Sequence, residues 1–269
     1  RALREDPAFG WVAEGGRPEV DLTRPDTVEA FLRQAEPAVV INCAAMTDVD
    51  ACEGRVAEAF ALNAEGAGRA AVIAVRHGAV FIQLSSDYVF DGRKGAPYVE
   101  EDETMPLSVY GRSKLEGERL VEAAGGRWII ARTAWLFGPG RQNYVDRMLS
   151  AARETGEVRG ATDQRGSPTS ARDLALALAA LIKARAMGLY HVVNAGGGSR
   201  YDVARTAVEA AGIAARVLPA RRVDFPRRAT TPEDSTLSAE KLRRDTGHTV
   251  RPWREAVAEY AAAAAGTGT

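Results

Sequence analysis

The feature that most constrains this chain is a repeated alternation: a short, continuous apolar run, then a longer stretch with apolar residues at helical spacing. Residues 10–13, 38–43, 80–85, 128–132 and 189–193 read as strands. Thr23 before Arg24 and Pro25 reads as a helix N-cap, and Val28, Phe31, Leu32 and Ala35 then recur on one face until Pro37 stops the helix. The Ala-rich stretch 53–76 is expected to break at Gly66 and Gly68, whereas 113–124 keeps Leu115, Leu120 and Val121 together. Strands separated by such helices predict an α/β fold, a doubly wound parallel sheet with crossover helices. Beyond residue 139 the pattern loosens. Helical pieces at 143–154, 171–184, 202–211, 238–244 and 253–264 alternate with turns, and 261–269 reads as a fraying helix end. The expected division is a sheet domain over 1–138, to which 170–195 returns, and a smaller lobe over 139–269.

Composition excludes several classes. With 269 residues, 46% hydrophobic and 26% charged, the chain can bury a core and is neither disordered nor fibrous. A net charge of −1 gives no reason to expect nucleic acid or anionic lipid as a partner. The basic pairs Arg221-Arg222 and Arg227-Arg228 lack interleaved aromatics and read as a solvated face or a site for one diphosphate. The apolar runs at 70–75 and 261–265 are too short to cross a bilayer, so no membrane partner and a cytoplasmic location are expected. Cys43 and Cys52 have no metal or redox spacing, and Cys43 reads as buried filler. His77, His191 and His248 are too far apart to suggest a metal cluster.

In a sheet of this kind the carboxyl ends of the strands line one edge, where nucleotides bind. A Gly-rich phosphate loop is missing from the start, and residues 1–6 read as the end of a first helix. The expectation is therefore that the first strand and Gly loop precede the sequence given, that the intact protein is longer, and that this chain binds dinucleotide poorly. Gly196-Gly197-Gly198-Ser199 also follows a strand, but no acidic partner lies about 20 residues on, so an ordinary loop is expected. More informative are Ser85-Ser86-Asp87-Tyr88 at a strand end and Tyr110-Gly111-Arg112-Ser113-Lys114 at a helix start. Tyr110 and Lys114, four apart, share a helix face, so the ammonium can sit beside the phenol and lower its pKa from about 10. A phenol so tuned can exchange a proton with a substrate, and Ser86 can donate a hydrogen bond to the same oxygen.

These residues, with Ile41-Asn42-Cys43-Ala44-Ala45-Met46-Thr47-Asp48-Val49, Asp87-Tyr88-Val89-Phe90-Asp91-Gly92, Arg132-Thr133-Ala134-Trp135-Leu136-Phe137 and Asp163-Gln164-Arg165-Gly166-Ser167-Pro168-Thr169, resemble the extended short-chain dehydrogenase/reductase superfamily. Within it, the chain is similar over essentially its whole length to the dTDP-4-dehydrorhamnose reductases. The resemblance implies a Rossmann-like fold with a small C-terminal substrate-binding lobe. It also implies hydride transfer from NADPH or NADH to the 4-keto group of dTDP-4-dehydro-L-rhamnose, giving dTDP-L-rhamnose. Tyr110 would be the general acid, Lys114 would hold the nicotinamide ribose, and Ser86 would orient the carbonyl. Asp21, Leu22, Cys43, Ala44, Ala45 and Ser85, with Tyr110 and Lys114, would contact the cofactor. Thr47, Val49, Tyr88, Trp135 and Asn143 would line the sugar-nucleotide pocket. Glu14 would favour NADH and Arg17 would receive the extra phosphate of NADPH. A homodimer and Mg2+ dependence belong to the family at large, with no metal-ligand carboxylates placed on this chain. Three departures stand out: Ser86 in place of Thr, Thr231 in place of an Arg for which Arg227 or Arg228 could substitute, and the missing Gly loop. Another sugar-nucleotide reductase or epimerase, and a non-catalytic regulatory subunit similar to the family, stay open as alternatives.

Overall fold

The structure, a computed structural model, describes residues 2–16 and 19–266. After α1 (Ala2–Glu5) and α2 (Pro25–Ala35), the chain enters β1 (Val39–Asn42). It continues through α3 (Val49–Gly54), α4 (Val56–Phe60), a π-helical segment (Ala61–Gly66) and α5 (Ala67–Arg76) into β2 (Val80–Ser86), then α6 (Val109–Ala123), β3 (Trp128–Thr133) and β4 (Leu136–Phe137). The remaining elements are α7 (Tyr144–Thr155), β5 (Glu157–Ala161), β6 (Arg165–Gly166), β7 (Thr169–Ser170), α8 (Ala171–Lys183), β8 (Gly188–His191), β9 (Gly198–Ser199), α9 (Arg200–Ala210), β10 (Arg216–Ala220), α10 (Glu240–Thr246) and α11 (Trp253–Gly266). The main sheet is parallel, in the order β1-β2-β3-β8.

Both faces of this sheet are covered, as its continuous apolar strands require. Alternation along each strand sends Phe81 and Ile130 to the face packed by α2, α5 and α6, and sends Val80, Ile82, Ile129 and Ala131 to the face packed by α8 and Leu242 of α10. A third cluster joins Phe137, α7, α9 and α11 around Trp253 and Val257. β5 and β10 form a separate parallel pair beside it.

Several expectations are corrected. Residues 10–13 form no strand: the segment is irregular, has no sheet partner, and leaves Trp11 66% exposed. Thr23 does not cap α2; Arg24 holds the N-cap position, and the Thr23 hydroxyl donates to Asp21 Oδ1 at 2.7 Å. Gly66 and Gly68 do not break their helix. A Cβ on either would press on Leu22 or Leu120, so the glycines serve close packing while the π segment absorbs an extra residue. Gly197 and Gly198 back onto Thr236 and Trp253, as in an ordinary loop. The C-terminal helix holds through Gly266 with Ala261 buried, and 267–269 lie outside the described residues.

Candidate active site

A cleft of about 510 Å³ opens at the carboxyl ends of β1, β2 and β3 and is closed on the far side by the segments around Trp135, α7 and α9. It gathers Ser86, Tyr110 and Lys114, together with Cys43, Ala45, Ser85, Thr47, Val49, Tyr88, Trp135 and Asn143. Three expected residues are not on its wall. Ala44 lies beside it, its N–H donating to Asn42 Oδ1 at 3.0 Å. Leu22 is buried with α2 and α5, and Asp21 Oδ1 accepts from the Thr23 N–H at 2.9 Å. Cys43 is exposed at the cleft rather than buried as filler, because β1 ends one residue earlier. Glu14 pairs with Arg4 at 3.1 Å on the surface, and Arg17 lies outside the described residues.

The order of the site follows from local structure. Ser108 caps α6 by accepting from the Gly111 N–H, which starts the helix so that Tyr110 and Lys114 both face the end of β2. A Cβ at Gly111 would stand 2.2 Å from the Tyr88 carbonyl oxygen, and one at Gly117 2.2 Å from that of Asn63. These two glycines let α6 lie directly on the backbone beside it. Asn63 then ties the π segment to the loop after β1, with the Met46 N–H donating to Oδ1 at 2.7 Å and Nδ2 donating to Ser113 Oγ at 3.0 Å.

Lys114 is buried and donates to the Leu84 carbonyl at 2.6 Å. Burial lowers its pKa to about 8, with Glu118 and Cys43 acting in the opposite sense. Glu118, one turn on, accepts two hydrogen bonds from Arg132 at 2.9 and 2.7 Å and one from the Ser85 hydroxyl. Ser85 is thus committed to this buried ion pair. Tyr110 meets Tyr88 edge to face, with ring centroids 5.5 Å apart. The expected lowering of its pKa is corrected: burial pushes the phenol up, and the Ser86 hydrogen bond only partly opposes it. Tyr110 therefore holds its proton at neutral pH.

Asp87 had no role assigned from sequence. It is buried, accepts from Ser86 Oγ at 2.9 Å and from Ser235 Oγ at 2.6 Å, and burial pushes its pKa up to about 6. The Ser86 proton thus points to Asp87 and its lone pairs to the Tyr88 N–H, so the hydroxyl must turn in order to donate to a substrate. Thr133, paired in register with Ser86, carries a buried hydroxyl with no partner among the described residues and lines the same wall. Trp135 adopts φ +47°, unusual for a bulky residue, and its indole lies against Gly166, where a Cβ would sit 2.6 Å away. Arg200 stacks on that indole 3.5 Å from the ring centroid and over Tyr144 at 4.8 Å. Asn143 reaches the cleft but spends its amide on the capping box of α7, on Gly138 and on Tyr260. Thr47 accepts from Arg141 at 3.2 Å. Arg227 pairs with Asp50 at 3.1 Å, and Thr231 is buried against Gln164. Among the described residues no three His, Cys, Asp or Glu side chains converge as metal ligands, and no helix is long and apolar enough to cross a membrane.

The chain is similar to known proteins along most of its length. The family profile described as the RmlD substrate binding domain matches residues 5–265. The dTDP-4-dehydrorhamnose reductase of Burkholderia thailandensis is 39% identical over 266 residues, covering 93% of this chain and 89% of that protein. The crystal structure of the Clostridium acetobutylicum dTDP-4-dehydrorhamnose reductase superposes with a TM-score of 0.86 at 40% identity, covering 90% of this chain and 86% of that one. That of the Bacillus anthracis enzyme, solved in complex with NADP, superposes with a TM-score of 0.92 at 31% identity, covering 96% and 92%. With a parallel sheet wound on both faces, a Ser-Tyr-Lys cleft at its carboxyl edge and this similarity along nearly its whole length, the chain belongs to the RmlD substrate binding domain family, alongside the dTDP-4-dehydrorhamnose reductases.

Proposed function

We propose that the protein is an oxidoreductase that uses a reduced nicotinamide cofactor to reduce the 4-keto group of dTDP-4-dehydro-L-rhamnose to dTDP-L-rhamnose. The observation that carries this is the convergence of Ser86, Tyr110 and Lys114 at the end of β2, in a cleft large enough for a sugar ring beside a nicotinamide. The residues present fit the cofactor. The buried, unpartnered Thr133 hydroxyl and the buried Lys114 ammonium both lie at the strand ends, and the small side chain of Ala45 lets a ligand approach the backbone closely. A bound nicotinamide supplies the hydride. Tyr110 gives its proton to the keto oxygen, Lys114 holds ribose hydroxyls and offsets the phenolate charge that results, and Ser86 turns from Asp87 to donate to the same oxygen. Cys43, Ala44 and Ala45 at the β1 end, with Ser85 shaping the wall, border the cofactor, while Asp21 and Leu22 would stand at its adenine end. Thr47, Val49, Tyr88, Trp135 and Asn143 border the sugar nucleotide.

The two-part division follows from the same reading. Residues 1–138, with 170–195 returning, form the cofactor-binding body, and 139–269 supply the sugar-nucleotide lobe. The return is supported by α8 and β8 packing on the main sheet. The test is loss of reduced-nicotinamide absorbance, with NADPH and NADH in turn, on addition of dTDP-4-dehydro-L-rhamnose and of UDP- and GDP-linked 4-keto-6-deoxy sugars. Oxidation with the dTDP sugar is expected. Activity confined to another base would favour a different sugar-nucleotide reductase, and none with any sugar would favour the regulatory-subunit alternative.

A further inference from the structure

The cations on the cleft wall are not equivalent. Lys114 donates to the Leu84 carbonyl, and Arg141 is exposed and donates to Thr47. Arg147, also on the wall, is exposed, and Arg227, off the wall beside Tyr88, is paired with Asp50. Arg200 differs from these in standing against two aromatic rings. Among the described residues no carboxylate lies within ion-pairing distance of its guanidinium, and the side chain donates no hydrogen bond. Its guanidinium carbon lies over the Trp135 ring at 3.5 Å and over the Tyr144 ring at 4.8 Å, and the Tyr144 hydroxyl donates to the Arg200 carbonyl at 3.1 Å, which anchors the residue at its own backbone. The side chain lines the cleft, and a ring over its face leaves the N–H donors at its edge available. The residue is half-buried and Asp87 acts on it only from beyond ion-pairing distance, so its donors stay open to an anionic ligand. Burial lowers its pKa.

We propose that Arg200 grips the diphosphate of the sugar nucleotide, with Trp135 and Tyr144 as the aromatic clamp that presents it. The proposal rests on the sugar-nucleotide assignment of the cleft. It assigns the diphosphate contact to α9 rather than to the 227–231 segment, where Thr231 is turned inward and Arg227 is already paired. Trp135 contributes by its strained backbone, which lays the indole flat under the guanidinium, and Gly166 leaves the space the indole needs.

Calorimetric titration of wild type and Arg200→Gln with dTDP, with thymidine and with NADPH tests this. Arg200→Gln should weaken dTDP by about tenfold or more, the scale of a charge-assisted bidentate contact, while leaving thymidine and NADPH within about twofold. An equal loss for dTDP and thymidine would overturn the proposal, as would a loss confined to NADPH, which would assign Arg200 to the dinucleotide's diphosphate. If Arg200→Gln does not fold, Arg200→Lys replaces it. That variant keeps the charge without the planar fork and should lose part of the dTDP affinity and none of the thymidine affinity; unchanged dTDP affinity would overturn the proposal. A wild type that binds no dTDP would also overturn it. A wild type that oxidises no cofactor, yet loses dTDP in the variant, would sink the reductase assignment and leave Arg200 as a diphosphate anchor.

Discussion

In the proposed reaction Tyr110 gives up a proton that burial makes it hold, and Lys114 keeps a charge that burial makes it lose. Tyr110→Phe should therefore lower kcat by about 10²- to 10⁴-fold, the usual worth of a positioned acid, and leave NADPH affinity nearly unchanged; normal turnover would end the proton-donor assignment. The ammonium of Lys114, with a pKa of about 8, should neutralise as pH rises through that value, so NADPH affinity and rate should fall together on the alkaline side. Glu118 raises that pKa, so Glu118→Gln should move the falling limb to lower pH, and an unmoved limb would contradict the coupling. Asp87 works in the other sense. Its folded pKa of about 6 stands above the ordinary carboxylate value near 4, so its contribution to stability is complete below pH 4 and is lost as pH rises to 6. Asp87→Asn should thus stabilise the fold at pH 7.5 by up to about 3 kcal/mol relative to its effect at pH 4, as read by urea unfolding. At this scale the placement of Tyr110 and Lys114 was legible from a four-residue spacing on one helix, and that of Ser86 from its position at a strand end. Asp87, Thr133, Glu118 and Arg200 were not, because their roles come from the partners that burial gives or denies them.

Among the elements, α6 carries the most consequence, since it brings Tyr110 and Lys114 to β2 and lies through Gly117 on the π segment and through Gly111 on the backbone of Tyr88. Gly117→Ala would push a methyl to 2.2 Å from the Asn63 carbonyl oxygen and should cost about 1–3 kcal/mol in urea unfolding, as overpacked sites do. Unchanged stability would show that the helix can shift without penalty. The four strands of the main sheet were readable from their apolar runs, each within one or two residues of its observed bounds. Residues 10–13 were misread because a strand is defined by its neighbour, which a run of four residues does not encode. The glycines at 66 and 68 were misread for a related reason: propensity marks them as breakers, whereas contact with Leu22 and Leu120 makes them packing sites.

For the molecule as a whole, the cleft is held by buried polar ties between distant parts of the chain. Ser235 reaches Asp87 across 148 residues, Asn194 joins Asp173, and Arg132 is locked to Glu118 beneath the active site. Removing the carboxylate charge in Glu118→Gln would leave a buried guanidinium uncompensated and should cost about 3–5 kcal/mol, seen as a lower Tm. The alternation of strands and helices made the architecture legible before these ties were known, while the closure of the far wall by Trp135, α7 and α9 depends on long-range contacts that no local pattern announces. The most direct test of the central claim is oxidation of reduced nicotinamide by dTDP-4-dehydro-L-rhamnose, followed side by side for wild type and Tyr110→Phe. Turnover by the wild type with loss of about 10²-fold or more in the variant is the predicted result, and equal rates, or none in the wild type, would contradict it.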